Sequence, residues 1–369
     1  MFQHLQYPVA MANTHSRQAR KGRGATSNPP CRFDHETPVE MDDGWGILDE
    51  ELPPLRTTVS DDATRSIIAR NQSPDLPFDR SINPYRGCEH GCVYCYARPT
   101  HAYLGLSPGL DFETRLFAKP HAPALLEAEL RRPGYACRVI ALGTNTDPYQ
   151  PIERERRITR GVLEVLSAHN HPVAIVTKSY MVVRDIDILA DMAARRLARV
   201  YVSVTTLSRG LSRSLEPRAA TPGRRLAAIR ALTDAGIPTG AMVAPIIPAL
   251  NDAEIEDILA AVAAAGATSA AYVLLRLPLE IADLFRQWLR VHAPLKADHV
   301  MSLMRGMRGG RNYDSSWGRR MTGDGPYAEM IAKRFDLAKQ RLGLEARDWS
   351  LDTTRFRPPP RPGDQLSLL

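Results

Sequence analysis

Cysteine is scarce in this chain, and its scarcity limits the chemistry that it can support. Only five cysteines occur among 369 residues, and three of them stand within eight residues, from Cys88 to Cys95. An odd and low count of this kind does not build the disulfide framework of a small secreted protein. Metal or redox chemistry in a reducing compartment fits it better, and we expect a cytoplasmic location.

Long apolar runs are also absent, and acidic residues are missing from the first part of the chain. No run of 18 or more apolar residues occurs, and the N-terminus lacks the apolar core of a secretory signal, so we expect neither a transmembrane helix nor export. Residues 1–33 carry five Arg and Lys and no acid, whereas residues 305–369 carry thirteen against eight acids. Basic flanks on a slightly acidic body suggest contact with nucleic acid. Solubility of disordered ends is the alternative explanation.

An alternation of strand and helix patterns begins near residue 76. Six short β-branched runs are the predicted strands: Ser81–Tyr85, Arg138–Gly143, Val173–Thr177, Arg199–Thr205, Thr239–Ala244 and Ala271–Arg276. Amphipathic stretches of helical period are the predicted helices: Thr159–His169, Val182–Arg196, Pro222–Ala235, Asp252–Ala265 and Glu280–Val291. Such alternation predicts a parallel sheet with outer helices, either doubly wound or an incomplete (β/α) barrel. In both, ligands bind beyond the C-terminal ends of the strands.

The segments around this core are predicted to differ from it. Residues 1–75 are rich in Pro, Arg, Asp and Thr with little periodicity, which predicts a mostly irregular arm. The core spans residues 76–305, and a helical extension over 306–347 contains one clear helix near Pro326–Arg341. Residues 348–369 are predicted to be a Pro-rich, disordered tail that cannot fold compactly.

The three clustered cysteines, Cys88, Cys92 and Cys95, have the spacing C-x3-C-x2-C and follow the first predicted strand. Iron–sulfur cubanes are normally held by four thiolates, so three would leave one iron without a protein ligand. An open metal position is typical of a site that binds substrate or cofactor. Structural zinc with His90 or His101 as fourth ligand is the alternative, but zinc sites usually contain paired CxxC motifs, which are missing here.

With Tyr94 before its last cysteine, this triad resembles that of the radical S-adenosylmethionine (SAM) superfamily. The chain is also similar to its spore photoproduct lyase-related branch, through Asn83-Pro-Tyr-Arg-Gly-Cys88 and Thr146-Asp-Pro-Tyr-Gln-Pro-Ile-Glu153. The resemblance implies an α/β fold with a partial (β/α)6 TIM-like barrel, a 4Fe–4S cluster and SAM as cofactors, and a reducing flavodoxin or ferredoxin. It also implies a 5′-deoxyadenosyl radical that abstracts hydrogen from a substrate, with the cofactor carrying the hard chemistry.

Polar residues at the predicted strand ends are candidates for contacts with SAM. Strand two ends in a polar cluster suited to an ammonium group, and strand three ends in a lysine that can pair with a carboxylate. A turn built from turn-forming residues would also explain the cluster. The photoproduct lyase pattern and the residue chemistry together give these cofactor-binding candidates: Tyr96, Thr144, Thr146, Asp147, Lys178, Ser203 and Arg218.

One feature of photoproduct lyases is missing from this sequence. Those enzymes use a cysteine near the end of strand two as hydrogen donor, whereas residues 143–149 contain none. Thymine-dimer reversal by that route is therefore not expected. Tyr94, Tyr96 or Tyr149 could replace the donor, and Tyr94 and Tyr96 are the candidate catalytic residues.

The last five residues resemble the motif by which bacterial proteins bind the DNA sliding clamp, with Leu in place of Phe: Gln365, Leu366, Ser367, Leu368 and Leu369. Such tails place two apolar anchors in a groove of a partner, although a tail that folds back on the barrel is equally compatible. The sequence thus predicts a radical SAM enzyme acting on nucleic acid, as in DNA lesion repair. Modification of RNA or a peptide, and a non-catalytic iron–sulfur or zinc protein tethered to the clamp, are the other hypotheses.

Overall fold

A mostly parallel sheet forms the centre of the protein in this computed structural model, which describes residues 21–34, 55–345 and 350–360. Six neighbouring strands run parallel: β3 (Arg80–Ile82), β6 (Ile140–Leu142), β7 (Val173–Thr177), β8 (Ala198–Ser203), β9 (Thr239–Ile246) and β10 (Ser269–Leu274). A seventh strand, β2 (Ile68–Arg70), pairs antiparallel with β3. The strand order is β10-β9-β8-β7-β6-β3-β2. The predicted α/β class with six parallel strands is confirmed.

Helices follow the parallel strands and lie against the sheet. The helices before β10 are α1 (Asp111–Thr114), α2 (Ala122–Leu130), α3 (Glu153–Arg156), α4 (Ile158–Ala168), α5 (Ile186–Ala194), α6 (Arg209–Leu215), α7 (Pro222–Asp234) and α8 (Ile255–Ala264). Those after it are α9 (Ile281–His292), α10 (Ala297–Gly306) and α11 (Pro326–Arg341). The sequence-based prediction missed α1, α2, α3, α6 and α10, and of these α1, α3 and α6 have only four to seven residues, too few for a helical period to be seen.

A second, three-stranded sheet leads into the cysteine loop. Its strands are β1 (Thr58–Asp61), β4 (Tyr85–Arg86) and β5 (Arg115–Ala118), in the order β1-β5-β4. The prediction of one strand over Ser81–Tyr85 was wrong, because the chain leaves the central sheet after Ile82 and pairs with β5 from Tyr85. The intervening Asn83-Pro84 contains a proline, which has no N–H to donate to a ladder.

The central sheet is well packed, and this gives the site a rigid support. Along β7 the side chains of Val173, Ile175 and Thr177 are buried, while Ala174 and Val176 are half-buried. Leu and β-branched side chains from the strands and helices join in one continuous apolar core. Such a core holds the loops at the strand ends in fixed positions. In the described part of the chain, no helix has both the length and the apolar character needed to cross a membrane.

The described parts of the two flanks are more ordered than the sequence predicted. Within the arm predicted to be irregular, β1 and β2 are strands, and residues 21–34, here called the N-terminal strap, pack on the body. In the predicted tail, the backbone N–H of Asp352 donates to Arg196 O at 2.9 Å, and that of Arg357 donates to His169 O at 2.9 Å. Residues 350–360 are therefore ordered, contrary to expectation. The predicted clamp-binding residues 365–369 lie outside the described residues.

Candidate functional site

The three clustered cysteines lie beyond the C-terminal end of β3, where ligands bind in parallel α/β folds. Cys88 and Cys92 are buried, and Cys95 is half-buried. Burial, with the neighbouring Asp147, Cys92 and Cys95, raises the pKa of the Cys88 thiol well above its usual value. Burial also raises the pKa of Cys92 to about 12. The thiols are thus close enough to interact, and a positive metal centre is what would hold them as thiolates.

Two glycines give this loop its tight path. Gly87 and Gly91 have φ of +74° and +69°, a left-handed conformation that side chains disfavour. A Cβ on Gly87 would lie 2.7 Å from the Leu116 side chain, and one on Gly91 would lie 2.7 Å from Glu113 Oε2. The backbone around the cysteines therefore has no room for a side chain at either position.

A fully buried arginine holds the loop from within. The Arg98 guanidinium donates to Cys92 O at 2.9 Å, to Gly91 O at 3.1 Å and to Gly109 O at 2.8 Å. It also forms an ion pair with Glu113 at 2.5 Å, and neither side chain is exposed. Sequence analysis missed both residues, because a single sequence does not distinguish a buried arginine from the many exposed ones.

The N-terminal strap (residues 21–34) lies directly on the cysteine loop. The backbone N–H groups of Gly24 and Ala25 donate to the two carboxylate oxygens of Glu113, at 3.0 and 2.8 Å. A Cβ on Gly24 would come within 1.9 Å of Gly91 O. Glu113 therefore joins Arg98, and through it the cysteine loop, to a segment almost 90 residues earlier in the chain.

The two motifs that carry the family resemblance bind each other. The Thr146 hydroxyl donates to Tyr85 O at 3.0 Å. The buried Gln150 amide donates to Gly87 O at 3.2 Å and accepts from the Glu89 N–H at 2.8 Å. The segment after β6 therefore fixes the backbone on both sides of Cys88. This finding gives Thr146, a predicted SAM contact, a structural part in the site.

Asp147 joins the ends of β6 and β7 to the cysteine loop. Its carboxylate accepts from the Thr177 hydroxyl at 2.7 Å and from the Lys178 N–H at 2.7 Å, and His90 Nδ1 lies 3.4 Å away. Burial opposes ionisation, but the charge and hydrogen bond of His90, with the other donors, lower the pKa of Asp147 to about 2. The carboxylate is thus held ionised by groups of the protein itself.

A second buried ion pair contacts the cysteine loop through Tyr94. The buried Tyr94 hydroxyl donates to Glu216, which also accepts from Thr205 Oγ1 at 2.7 Å and pairs with Arg225. Burial opposes ionisation of Glu216, but the charges of Arg225 and Lys178 lower its pKa. Burial and the charges of Cys92 and Glu216 raise the pKa of Tyr94, so its hydroxyl stays protonated. Lys178 Nζ lies 5.8 Å from the Tyr94 ring centroid, which brings this predicted SAM contact to the cysteine loop.

Other predicted residues also lie at this rim. Tyr96 is 42% exposed, and the Arg276 guanidinium lies 4.2 Å from its ring centroid. Arg218 forms an ion pair with the buried Glu89 of the cysteine loop at 2.8 Å. The last of this set, Thr144, is half-buried just beyond β6. Arg218 is thus joined to the cysteine loop, and Tyr96, the residue after Cys95, lies at the exposed edge of the loop.

Ser203 and Tyr149 are more enclosed. Ser203 is buried as the last residue of β8, and its carbonyl accepts from Arg225 at 3.2 Å. Tyr149 is fully buried, and burial with the charge of Asp185 raises the pKa of its hydroxyl. Of the three tyrosines proposed as hydrogen donor, Tyr96 is therefore the one with substantial exposure.

The described residues do not form a site for a single metal ion. Within residues 21–34, 55–345 and 350–360, no three His, Cys, Asp or Glu side chains are arranged to share one ion. His90 faces Asp147, and His101 Nε2 contacts Arg115 O at 2.9 Å, so both suggested zinc ligands have other partners. A cluster distributes its thiolates over several irons, and the three cysteines need not converge on one point to bind it.

Comparison with known proteins gives the class to which this site belongs. The model of the radical SAM superfamily matches residues 82–262. An uncharacterized protein of Mycobacterium tuberculosis is 40% identical over 233 residues, which are 62% of this chain and 68% of the relative. One of Methanocaldococcus jannaschii is 28% identical over 173 residues, which are 47% of this chain and 62% of that protein. The chain belongs to the radical SAM superfamily, and it is an enzyme of that class.

Comparison with solved structures shows which known fold this protein shares. Spore photoproduct lyase complexed with a dinucleoside spore photoproduct superimposes with a TM-score of 0.55 at 17% identity, covering 77% of this chain and 78% of that one. A mutant of the same lyase gives 0.56 at 16% identity, with coverage of 78% and 79%. This protein therefore shares the fold of spore photoproduct lyase. The superfamily uses a 4Fe–4S cluster and SAM, so the cofactors predicted from the triad are confirmed.

Proposed function

We propose that Cys88, Cys92 and Cys95 hold the 4Fe–4S cluster of a radical SAM enzyme whose substrate is nucleic acid, as in DNA lesion repair. The observation that carries this is three neighbouring cysteines, two buried and one half-buried, on a loop whose backbone is held by the side chains of Arg98 and Gln150. Cys137 precedes β6 at the other end of the sheet, and the Cys31 thiol donates to Asp34 at 3.1 Å. Neither cysteine is placed to be a fourth ligand of the cluster. When bound, the cluster supplies an electron for reductive cleavage of SAM, and thereby hydrogen abstraction from a substrate.

We assign the rim residues to SAM as follows. Lys178 has a positive charge beside the cysteine loop and suits the SAM carboxylate. Thr144 and Thr146 follow β6, and Thr144 has the accessible hydroxyl of the two. Asp147 and Ser203 position their strand ends, while Arg218 and Tyr96 border the open side of the site.

Two observations favour nucleic acid as substrate. The lyase that shares this fold has been solved with a dinucleoside lesion bound, and the flanks of this chain are basic. The rim lacks the cysteine that photoproduct lyases use as donor. We therefore propose Tyr96 as the hydrogen donor, with the buried Tyr94 as a residue that positions the loop.

The sliding clamp remains a proposed partner. Its support is the resemblance of residues 365–369 to the clamp-binding motif. Asp352 and Arg357 bind the carbonyls of Arg196 and His169, in the turns that precede β8 and β7, at the end of the sheet opposite the cysteine loop.

Anaerobic reconstitution tests the cluster assignment. The wild-type chain should bind about four irons and release 5′-deoxyadenosine from SAM under a strong reductant. The triple variant Cys88→Ala, Cys92→Ala, Cys95→Ala should lose both, whereas Cys137→Ala should retain both as the matched control. Zinc in place of iron would contradict the assignment. With a deuterated, lesion-containing oligonucleotide, deuterium in the released 5′-deoxyadenosine would identify nucleic acid as the substrate.

A further inference from the structure

A basic loop between α10 and α11 is not used by the site described above. This arginine loop, residues 307–325, contains four arginines and two aspartates. The Leu274 N–H, at the end of β10, donates to Met321 O at 2.8 Å. The buried Arg308 guanidinium donates to Leu275 O at 3.1 Å and to Arg319 O at 2.6 Å. The loop is therefore fixed to the same rim of the sheet as the cysteine loop.

A second attachment joins this loop to the connection between β2 and β3, at the other edge of the central sheet. Arg320 forms a two-pronged ion pair with Asp75, with Nε and Nη2 at 2.6 and 2.5 Å from the two carboxylate oxygens. Both side chains are largely buried, and paired donors of this kind fix orientation as well as distance. Arg276, which follows the Leu275 bound by Arg308, places its guanidinium 4.2 Å from the Tyr96 ring centroid. The loop thus lies beside the open side of the site.

The loop presents to solvent an aromatic ring that lies between two exposed arginines in the sequence. Trp317 is 63% exposed, and among the described residues no ring or guanidinium stacks on it. Arg311 is exposed, and the Arg319 side chain is 62% exposed, with Asp324 at 3.5 Å. An exposed pair at that distance contributes little, so Arg319 stays available. A single exposed ring is common on protein surfaces, and it is the combination of this ring with two exposed arginines that suggests a ligand.

We propose that the arginine loop binds single-stranded nucleic acid next to the site, with Trp317 stacked on a base and Arg311 and Arg319 on phosphates. The inference rests on the proposed function, because a nucleic-acid substrate is what brings a strand to this rim. Flanking cations and an exposed ring are the combination that binds unpaired strands. Bases of an intact duplex are already stacked on each other and would leave the Trp317 indole uncovered. An acidic peptide would bind the two arginines but would give the indole no ring to stack on.

Fluorescence anisotropy with a labelled thymidine oligonucleotide of about ten nucleotides tests the loop in the full-length chain. Trp317→Ala should weaken binding about tenfold, since stacking on one base contributes roughly 1–3 kcal/mol, and Trp317→Phe should keep most of the affinity. Arg319→Gln should reduce the dependence on salt by about one released counterion. Arg357→Gln is the matched control, because it removes an exposed charge at the opposite end of the sheet.

Equal affinity of Trp317→Ala, Arg319→Gln and the wild-type chain would overturn the assignment. Tighter binding of a duplex than of its single strands would do the same, as would no binding by the wild type. A preference for the corresponding ribonucleotide would support the loop and indicate an RNA substrate. Release of 5′-deoxyadenosine without any oligonucleotide reports on the cluster separately, so a failure of this surface is distinguishable from a failure of the proposed enzyme.

Discussion

The two ends of the central sheet are stabilised in different ways. At the cysteine loop the ion pairs Arg98–Glu113 and Arg225–Glu216 are buried. At the opposite end, the Phe356 ring packs against Tyr135 and His171, with centroids 5.5 and 5.4 Å apart. Buried ion pairs are poor sources of net stability compared with apolar packing. Their concentration around the cysteines therefore indicates that the interactions at this end fix the position of the cysteine loop, whereas the packing at the other end stabilises the fold.

The largest expected effect separates these two roles. Glu113→Gln should destabilise the protein by about 3–5 kcal/mol, because the Arg98 charge remains buried without its partner. Urea unfolding measures the loss, and reconstituted iron should fall with it, since Arg98 holds the backbone of Cys92. Glu164→Gln, which removes an exposed partner of Arg160, should cost less than about 1 kcal/mol. Unaltered iron content and stability in Glu113→Gln would break the comparison.

The aromatic end should respond to pH. Burial lowers the pKa of His171 from 6.5 to about 4. Between these pH values the His171 imidazole is neutral in the folded protein and protonated in the unfolded chain. The stabilisation is complete above 6.5 and is lost as pH falls from 6.5 towards 4. The free energy of unfolding should therefore drop by about 2 kcal/mol near pH 5.

Denaturant titrations at neutral pH and near pH 5 check this for the wild type and for His171→Gln. The variant should lose most of that pH dependence, because the remaining histidines are common to both proteins and cancel in the comparison. A variant whose stability falls as steeply as that of the wild type would show that another group titrates at this end.

Sequence alone predicted the strands well, and the cysteine triad stays a prediction that rests on its spacing. The six parallel strands follow from alternating β-branched and helical patterns, and the end of β7 agrees with its prediction at Thr177. The triad could be assigned because its spacing is specific. Glu113, Gln150 and Glu216 could not, because their roles depend on burial and on partners distant in the chain. Local composition does not carry that information.

The order of residues 350–360 was missed for a related physical reason. Proline-rich composition predicts an extended chain, and residues 350–360 lack helix and strand. An extended chain can still pack where the body offers an aromatic surface and free carbonyls. Tyr135, His171, His169 and Arg196 provide these, and only the folded body brings them together.

The smallest expected effect belongs to this contact. Phe356→Ala should destabilise the protein by about 1–2 kcal/mol through loss of two aromatic pairs, and Phe356→Leu should recover part of the loss. Iron content and SAM cleavage should stay at wild-type values in both, because no contact of Phe356 reaches the cysteine loop among the described residues. If Phe356→Ala lost iron as Glu113→Gln is expected to do, packing at the opposite end of the sheet would be needed to hold the cysteine loop in place. The division of roles between its two ends would then be wrong.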